Sequence, residues 1–108
     1  MAYYMVQAAY TAEAIAAMVK KPEDRVTVIS AVVEKLGGKL EGMWFCFGDY
    51  DVVGISQMPD NVSAAAFAFA VSQSGKLKTV KTTSLMTSGE AIKAMKKAAG
   101  TGYRAPGG

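Results

Sequence analysis

A chain of 108 residues with a single cysteine, Cys46, and a formal net charge of +3 at pH 7 fits one small domain and cannot form an internal disulfide. No apolar run approaches the roughly 18–20 residues of a membrane span, and the N-terminus lacks the basic segment of a signal peptide, so we expect no membrane partner and a cytoplasmic location. Hydrophobic residues make up 51% of the chain and charged residues 19%, against about 45–50% and about 25% in typical domains, and this excess favours burial against a partner.

The first predicted element is a strand over residues 3–10, an almost uninterrupted apolar and aromatic run. Eight residues of this type are typical of a central strand that is covered on both faces. Thr11 then serves as the N-cap of a short alanine-rich helix that ends near Val19.

A second helix follows a break at Lys20-Lys21-Pro22, where Pro22 suits the first helical turn. Its apolar residues recur at steps of three and four along one face, at Val26, Ile29, Val33 and Leu36. Gly37-Gly38 is predicted to end this helix, because a left-handed C-terminal cap prefers glycine.

Two aromatic and β-branched runs, residues 39–47 and 50–58, are joined at Gly48-Asp49 and predict a β-hairpin with a type II′ turn. The register pairs Phe47 with Tyr50, Cys46 with Asp51, Phe45 with Val52 and Trp44 with Val53. One face of the hairpin then carries Met43, Phe45, Phe47, Tyr50 and Val52, and the other carries Leu40, Trp44, Cys46, Val53 and Ile55. Both faces are apolar, so we expect both to be buried.

A third helix begins at Pro59-Asp60-Asn61, runs through Ser74 and is closed by Gly75. Residues 76–86 then form a strand whose lysines and threonines are typical of a protected sheet edge.

Thr87 and Glu90 form the capping box of a last helix that ends near Ala99. The glycine-rich residues 100–108 are predicted to be a flexible tail, so that the domain spans residues 1–99.

Basic residues gather in the C-terminal third of the chain. Residues 76–108 hold seven basic side chains and one acidic one, whereas residues 1–75 hold five basic and eight acidic ones. A basic end of this kind can meet nucleic acid or another acidic surface. A solvated lysine-rich helix is the simpler interpretation, and the aromatic signature of RNA-recognition sheets is missing from the sequence, so we do not expect a nucleic-acid partner.

The predicted order of elements is β-α-α-β-β-α-β-α. With right-handed crossovers it closes as an α+β fold, a ferredoxin-like βαββαβ antiparallel sheet with the first and third strands central, an additional short helix after strand 1 and a C-terminal helix. Helices cover one face of such a sheet, while the hairpin predicts that the other face is apolar too. A second copy of the chain is the simplest cover, so we predict a homo-oligomer.

Residues 45–53, Phe-Cys-Phe-Gly-Asp-Tyr-Asp-Val-Val, resemble the segment that gives the GYD domain family its name. Further landmarks of that family appear in order and spacing at Tyr10-Thr11, Leu36-Gly37-Gly38, Pro59-Asp60-Asn61 and Val80-Lys81-Thr82-Thr83. The resemblance covers nearly the whole chain up to about residue 99. It implies a ferredoxin-like fold of the dimeric α/β-barrel type and implies no reaction, because the family is largely uncharacterised.

The sequence offers little chemistry of the familiar kinds. It contains no histidine, the commonest general base and metal ligand. Paired cysteines, a phosphate-binding loop, a dinucleotide fingerprint and a nucleophile elbow are also missing from it. We therefore expect no metal site and no cofactor, and we name no catalytic residue. Cys46 is interpreted as a small core residue, since no basic neighbour in the hairpin would activate its thiol.

Asp51 is the exception to this apolar pattern. The hairpin register places it opposite Cys46 and near Trp44 on an apolar face, where a carboxylate must be hydrogen-bonded or paired. It binds either backbone amides or a lysine of a partner subunit, or else it serves a ligand or a proton transfer. The candidate ligand-binding residues are Asp51, Tyr50, Trp44 and Tyr10, although the aromatic ones also fit core and interface roles.

Three functions remain open. The first is a homo-oligomeric small-molecule-binding or regulatory protein that holds its ligand between the sheet face and a partner subunit. The second is a cofactor-independent enzyme of the dimeric α/β-barrel kind, an oxygenase or isomerase that uses Asp51 and Tyr50 to move protons. The third and weakest is an RNA-binding module built on the sheet and the basic last helix.

Overall fold

The computed structural model describes residues 1–107, and Gly108, the last residue of the predicted tail, lies outside the described residues. Within this range the chain forms four strands and four helices, in the predicted order. The strands are β1 (Ala2–Tyr10), β2 (Lys39–Phe45), β3 (Val52–Met58) and β4 (Leu77–Leu85). The helices are α1 (Ala12–Lys20), α2 (Arg25–Lys35), α3 (Asn61–Ser72) and α4 (Ser88–Ala99).

The strands form one antiparallel sheet in the order β2-β3-β1-β4. β1 and β3 are central because each has a hydrogen-bonded neighbour on both sides, and the lysine- and threonine-rich β4 lies at an edge. This is the predicted ferredoxin-like α+β arrangement. None of the helices within residues 1–107 has the length and hydrophobicity needed to cross a bilayer.

The hydrophobic core lies between the sheet and the helices α2 and α3. Its buried residues come from β1, α2, β3 and α3 and are Tyr4, Val33, Met58, Ala64 and Phe67. Each large apolar side chain buried here contributes roughly 1.5–3 kcal/mol, which holds both helices against this side of the sheet. The Tyr4 hydroxyl donates to Asn61 Oδ1 at 2.5 Å and ties β1 to the first turn of α3. We call this side of the sheet the covered face.

The opposite side of the sheet, called the open face below, is apolar in its centre. The alternation of side chains along the paired strands places on it Tyr3, Met5, Gln7, Trp44, Val53, Ile55, Lys81, Thr83 and Leu85. Trp44 is 55% exposed, and the other apolar side chains of this face are partly buried. A single chain therefore leaves a broad apolar surface in contact with solvent.

Helix α2 begins later than predicted. Its N-cap is Asp24, whose Oδ1 accepts from the backbone N–H of Val26 at 3.0 Å, and Pro22 lies outside the helix. A side chain that accepts a hydrogen bond from the first-turn amides sets the helix start more strongly than the proline two residues earlier.

The predicted glycine end of α2 is confirmed. Gly37 has a φ of +82°, the left-handed conformation that glycine adopts without strain. The backbone N–H of Gly38 donates to Val33 O at 3.0 Å, and that of Gly37 donates to Glu34 O at 3.0 Å. These two bonds satisfy carbonyls that a helix end otherwise leaves unpaired.

The hairpin between β2 and β3 has a wider connection than predicted. The strands end at Phe45 and begin at Val52, so that residues 46–51 form the loop in place of a two-residue turn. Gly48 within it has a φ of +102°, which suits the glycine predicted at the turn. The Cys46 backbone N–H still donates to Asp51 O at 2.8 Å, in agreement with the predicted opposition of these two residues, and the Asp51 N–H donates to Ala8 O of β1 at 2.9 Å.

The predicted hairpin register is confirmed within the strands, but Phe47 and Tyr50 lie in the loop and form no strand pair. The expected burial of both faces is wrong at Phe45 and Phe47, which are 63% and 102% exposed. Phe45 pairs with Val52 and Trp44 with Val53, as predicted. An irregularity between Leu40 and Gly42 then shifts the pairing. An extra residue in a strand places the side chains before and after it on opposite faces of the sheet. Leu40 therefore lies on the covered face against the core and not on the face of Trp44.

Helix α4 begins with the predicted capping box. Thr87 Oγ1 accepts from the Glu90 N–H at 3.1 Å, and Glu90 Oε1 accepts from the Thr87 N–H at 2.9 Å. No residue of α4 is buried among those described, and Ile92 and Met95 are 50% and 67% exposed. The radius of gyration of 17.6 Å exceeds the roughly 13 Å expected of a compact chain of this length. The helix therefore extends from the body of the domain.

Candidate ligand-binding site

A pocket of about 250 Å³ opens between the covered face and the helices α2 and α3. Large side chains fill the core at the Tyr4 end of the sheet, whereas the strands and α3 present small residues at the pocket, among them Ala8, Gly54 and Ala70. A Cβ atom added to Gly54 would lie 3.6 Å from Gly42 O and 3.9 Å from Leu40 Cδ1, both ordinary contact distances. A single methyl group therefore fits above Gly54 without a clash, and the pocket floor lies on the two central strands, which supply Ala8 and Gly54 to the lining.

Four polar side chains line this otherwise mainly apolar pocket, Tyr10, Arg25, Ser56 and Ser74, and Tyr10 and Arg25 are the two titratable ones. Tyr10 is the last residue of β1 and Arg25 the first residue of α2, so the β1–α1–α2 connection brings them together. Burial raises the pKa of the Tyr10 phenol, and the neighbouring Arg25 guanidinium partly offsets this rise. The phenol therefore remains protonated at neutral pH and can donate a hydrogen bond.

Arg25 is held by a single carboxylate. Its Nη1 donates to Glu23 Oε1 at 2.7 Å, and the exposed fractions of the two side chains are 28% and 54%. A guanidinium has five N–H donors, so one carboxylate leaves most of them free for another acceptor. Arg25 lines the pocket and is less exposed than Glu23, so its guanidinium lies at the edge of the pocket, with Glu23 on the solvent side.

Asp51 supports the site from outside the pocket wall. Its Oδ2 accepts from the backbone N–H of Tyr10 at 2.8 Å, one step beyond the last β1–β3 pair, Ala8 with Val52. The Asp51 carboxylate thus accepts a hydrogen bond from a β1 amide that has no partner in β3, because β3 begins at Val52. Of the alternatives for Asp51, binding of a backbone amide is the one seen in the structure, and it holds the end of β1 where Tyr10 enters the pocket.

The structure places the four residues predicted to bind a ligand in three different surroundings. Tyr10 lines the pocket and Asp51 braces it. Trp44 lies on the open face, because its neighbour Met43 lines the pocket and successive side chains of a strand point to opposite faces. Tyr50 lies in the 46–51 loop, where its carbonyl accepts from Cys46 Sγ at 3.3 Å.

Arg25 is the functional candidate that the reading of the sequence missed. It lies four residues before Ile29, so it continues the apolar stripe of α2 toward its N-terminus. A charged residue on the apolar face of a helix indicates a functional position, and this pattern could have identified Arg25 from the sequence. No cluster of acidic or cysteine side chains suited to a metal ion occurs among residues 1–107.

Comparisons with solved structures support the fold. The chain superposes on "crystal structure of FFRP-DM1" with a TM-score of 0.51 and 11% identity, over 80% of this chain and 100% of that one. It superposes on the crystal structure of TTHA0845 from Thermus thermophilus with a TM-score of 0.53 and 13% identity, over 82% of this chain and 96% of that one. At such identities the likeness is one of fold alone.

Comparisons of the sequence identify its family. No curated protein matches the sequence at a significant level. The model of the GYD domain matches residues 4–95, which include β1 without its first two residues, the complete strands β2 to β4, the helices α1 to α3 and most of α4. This protein therefore belongs to the GYD domain family.

Proposed function

We propose that this protein is a homo-oligomeric binding or regulatory protein that holds a small, mainly apolar molecule in the pocket between the covered face and the helices α2 and α3. The observation that carries the proposal is the pocket itself, about 250 Å³ in volume. Protein interiors are close-packed and leave few voids larger than a water molecule. Apolar walls with a few convergent polar groups are typical of ligand sites.

The volume of the pocket limits the size of its ligand. About 250 Å³ lies just below the roughly 300–1,000 Å³ of typical small-molecule pockets. We therefore propose a small ligand, such as a six-carbon amide or acid.

The enzyme alternative has less support from the positions of its proposed residues. The carboxylate and the backbone N–H of Asp51 bind β1, and Tyr50 lies outside the pocket wall. Neither group is placed to move a proton on a molecule bound above Gly54.

We expect Gly54→Val to abolish binding of a neutral probe, hexanamide, without loss of stability. Gly54 lines the pocket, so the valine side chain would fill part of the space that the probe needs. A Cβ atom at this position meets no clash, and a β-branched residue suits a strand. Binding is measured by the chemical-shift changes of methyl groups that line the pocket during a titration with hexanamide.

Gly89→Val, the same substitution in the exposed helix α4, is the matched control and should bind hexanamide like the wild type. Equal binding by the wild type and Gly54→Val, or shift changes confined to the open face, would contradict the proposed site.

Self-association is the second part of the proposal. The open face presents apolar side chains from all four strands, and α4 exposes Ile92 and Met95. An apolar surface of this breadth is unusual on a monomer and marks an interaction site. A second copy of the chain, which carries the same face, is the partner that we propose, because such an isologous contact closes with two-fold symmetry.

Size-exclusion chromatography with light scattering at micromolar concentration should therefore give at least twice the chain mass of 11.3 kDa. Ile55→Lys on the open face should shift the protein toward the monomer, because it would bury an unpaired charge. Val62→Lys replaces a residue of α3 that is 79% exposed and should leave the mass unchanged. A wild-type protein that elutes only as the monomer would rule out this part of the proposal.

A further inference from the structure

We infer that the ligand of this pocket is a small apolar monocarboxylate, whose hydrocarbon part lies between the covered face and the two helices and whose carboxylate meets Arg25 and Tyr10. The inference rests on the proposed function and specifies the chemical class of its ligand.

The charge of the pocket wall is the first argument. Among the described residues that line the pocket, Arg25 alone has a charged side chain, and none is acidic. A cation beside a water-poor apolar cavity attracts an anion more strongly than it does in open solvent. A neutral ligand would leave this guanidinium without a partner on the pocket side.

The geometry of the donors is the second argument. The guanidinium of Arg25 and the phenol of Tyr10 line the same pocket, and the guanidinium lowers the pKa of the phenol against the effect of burial. Burial keeps the phenol protonated, so both groups are donors at neutral pH. A planar guanidinium matches the two oxygens of a carboxylate, and the phenol adds a further hydrogen bond.

The existing partners of these groups do not prevent such binding. Glu23 is more exposed than Arg25, so its ion pair is of the weak surface type that a ligand carboxylate can replace. Asp51, the other carboxylate near Tyr10, accepts from the Tyr10 backbone N–H at 2.8 Å, so this bond does not engage the phenol. Removal of the Glu23 charge should therefore strengthen anion binding.

The rest of the wall limits the ligand to one polar end. Ser56 is the buried polar residue of the described chain and lines the pocket, but it carries no charge. The remaining wall is mainly aliphatic, with Val6, Ile29, Val32 and Val52 among its residues. A dicarboxylate or a sugar phosphate would bury a second polar group against these side chains, which is unfavourable.

The test compares hexanoate with hexanamide, two ligands of the same shape that differ in charge, by titration at neutral pH and low salt. We expect hexanoate to bind the wild type at least about tenfold more tightly, the scale of one charge-assisted hydrogen bond. In Arg25→Gln the preference for hexanoate should be lost, so that the two ligands bind equally. Glu23→Gln should increase the preference for hexanoate, and Lys35→Gln, at the exposed end of α2, should leave it unchanged.

The outcomes separate the ligand class from the site itself. Hexanamide binding with no preference for hexanoate, or a preference that survives Arg25→Gln, would overturn the inference while the proposed function stands. Binding of neither ligand to the wild type would overturn both. Should Arg25→Gln also fail to bind hexanamide, Arg25→Lys, which keeps the positive charge but not the planar guanidinium, decides. Retained hexanamide binding with a retained but smaller preference for hexanoate supports the inference, and retained hexanamide binding without any preference contradicts it.

Discussion

Replacement of Gly38 by alanine should destabilise the fold by about 3 kcal/mol, the upper end of the range for overpacked cores. A Cβ atom at this position would clash with the backbone carbonyl of Gln57 and would lie 2.6 Å from Met58 Sδ and 3.2 Å from Val33 Cγ1. The carbonyl belongs to β3 and cannot move without disrupting the sheet, and Met58 and Val33 are each 1% exposed. Relief therefore requires α2 to shift away from the sheet.

Chemical denaturation of Gly38→Ala measures this effect, and a fall of roughly 10–20 °C in Tm is the thermal equivalent. Gly54→Ala is the matched control, because the same added methyl group would meet its neighbours only at 3.6 Å or more. This control should be neutral or stabilise the fold by up to about 1 kcal/mol. Equal stabilities of the two variants would show that the junction between α2 and β2 is not closely packed.

Asp51→Ala should lower the free energy of unfolding by about 1–3 kcal/mol, because the backbone N–H of Tyr10 would lose its acceptor. Asp51→Asn keeps an oxygen in place and should recover part of this loss. Asp49, two residues earlier in the same loop, is exposed, and Asp49→Ala should change the stability by less than about 0.5 kcal/mol.

The same variants distinguish support of the site from direct contact with a ligand. If Asp51 only positions Tyr10, Asp51→Asn should bind hexanamide and hexanoate nearly as the wild type does. Unchanged stability together with lost binding in Asp51→Asn would show instead that the carboxylate contacts the ligand. Urea denaturation and the ligand titration provide the two readouts.

Local chemistry accounts for the parts of the fold that the sequence predicts well. Thr11, Asp60 and Thr87 each cap a helix through a side-chain oxygen that accepts from an amide in the first turn. Gly37 ends α2 with a positive φ. These features depend on residues within one helical turn of each other, so they can be recognised without knowledge of the rest of the chain.

The register of the β2–β3 hairpin shows where such prediction stops. Alternation of side chains and the glycine at Gly48 predict the pairing of Phe45 with Val52 correctly. The irregularity before Gly42 reverses Leu40, which packs against the core, and residues 46–51 form a loop that Asp51 joins to β1. The contacts of Leu40 with the core and of Asp51 with β1 involve other parts of the fold, which the hairpin sequence does not contain.

The sequence by itself determined the family, through its resemblance to known members, and the order of elements, through periodicity. It also determined the caps at Thr11, Asp60 and Thr87, because these follow from short-range hydrogen bonds, whereas the cap of α2 was predicted wrongly. The position and the residues of the candidate site follow only from the tertiary structure. Tyr10 and Arg25 are separated by a whole helix in the chain and meet because β1 ends where α2 begins. The pocket exists because small residues of β1, β3 and α3 coincide above the sheet, and a void depends on how distant elements pack, a property that no local pattern encodes.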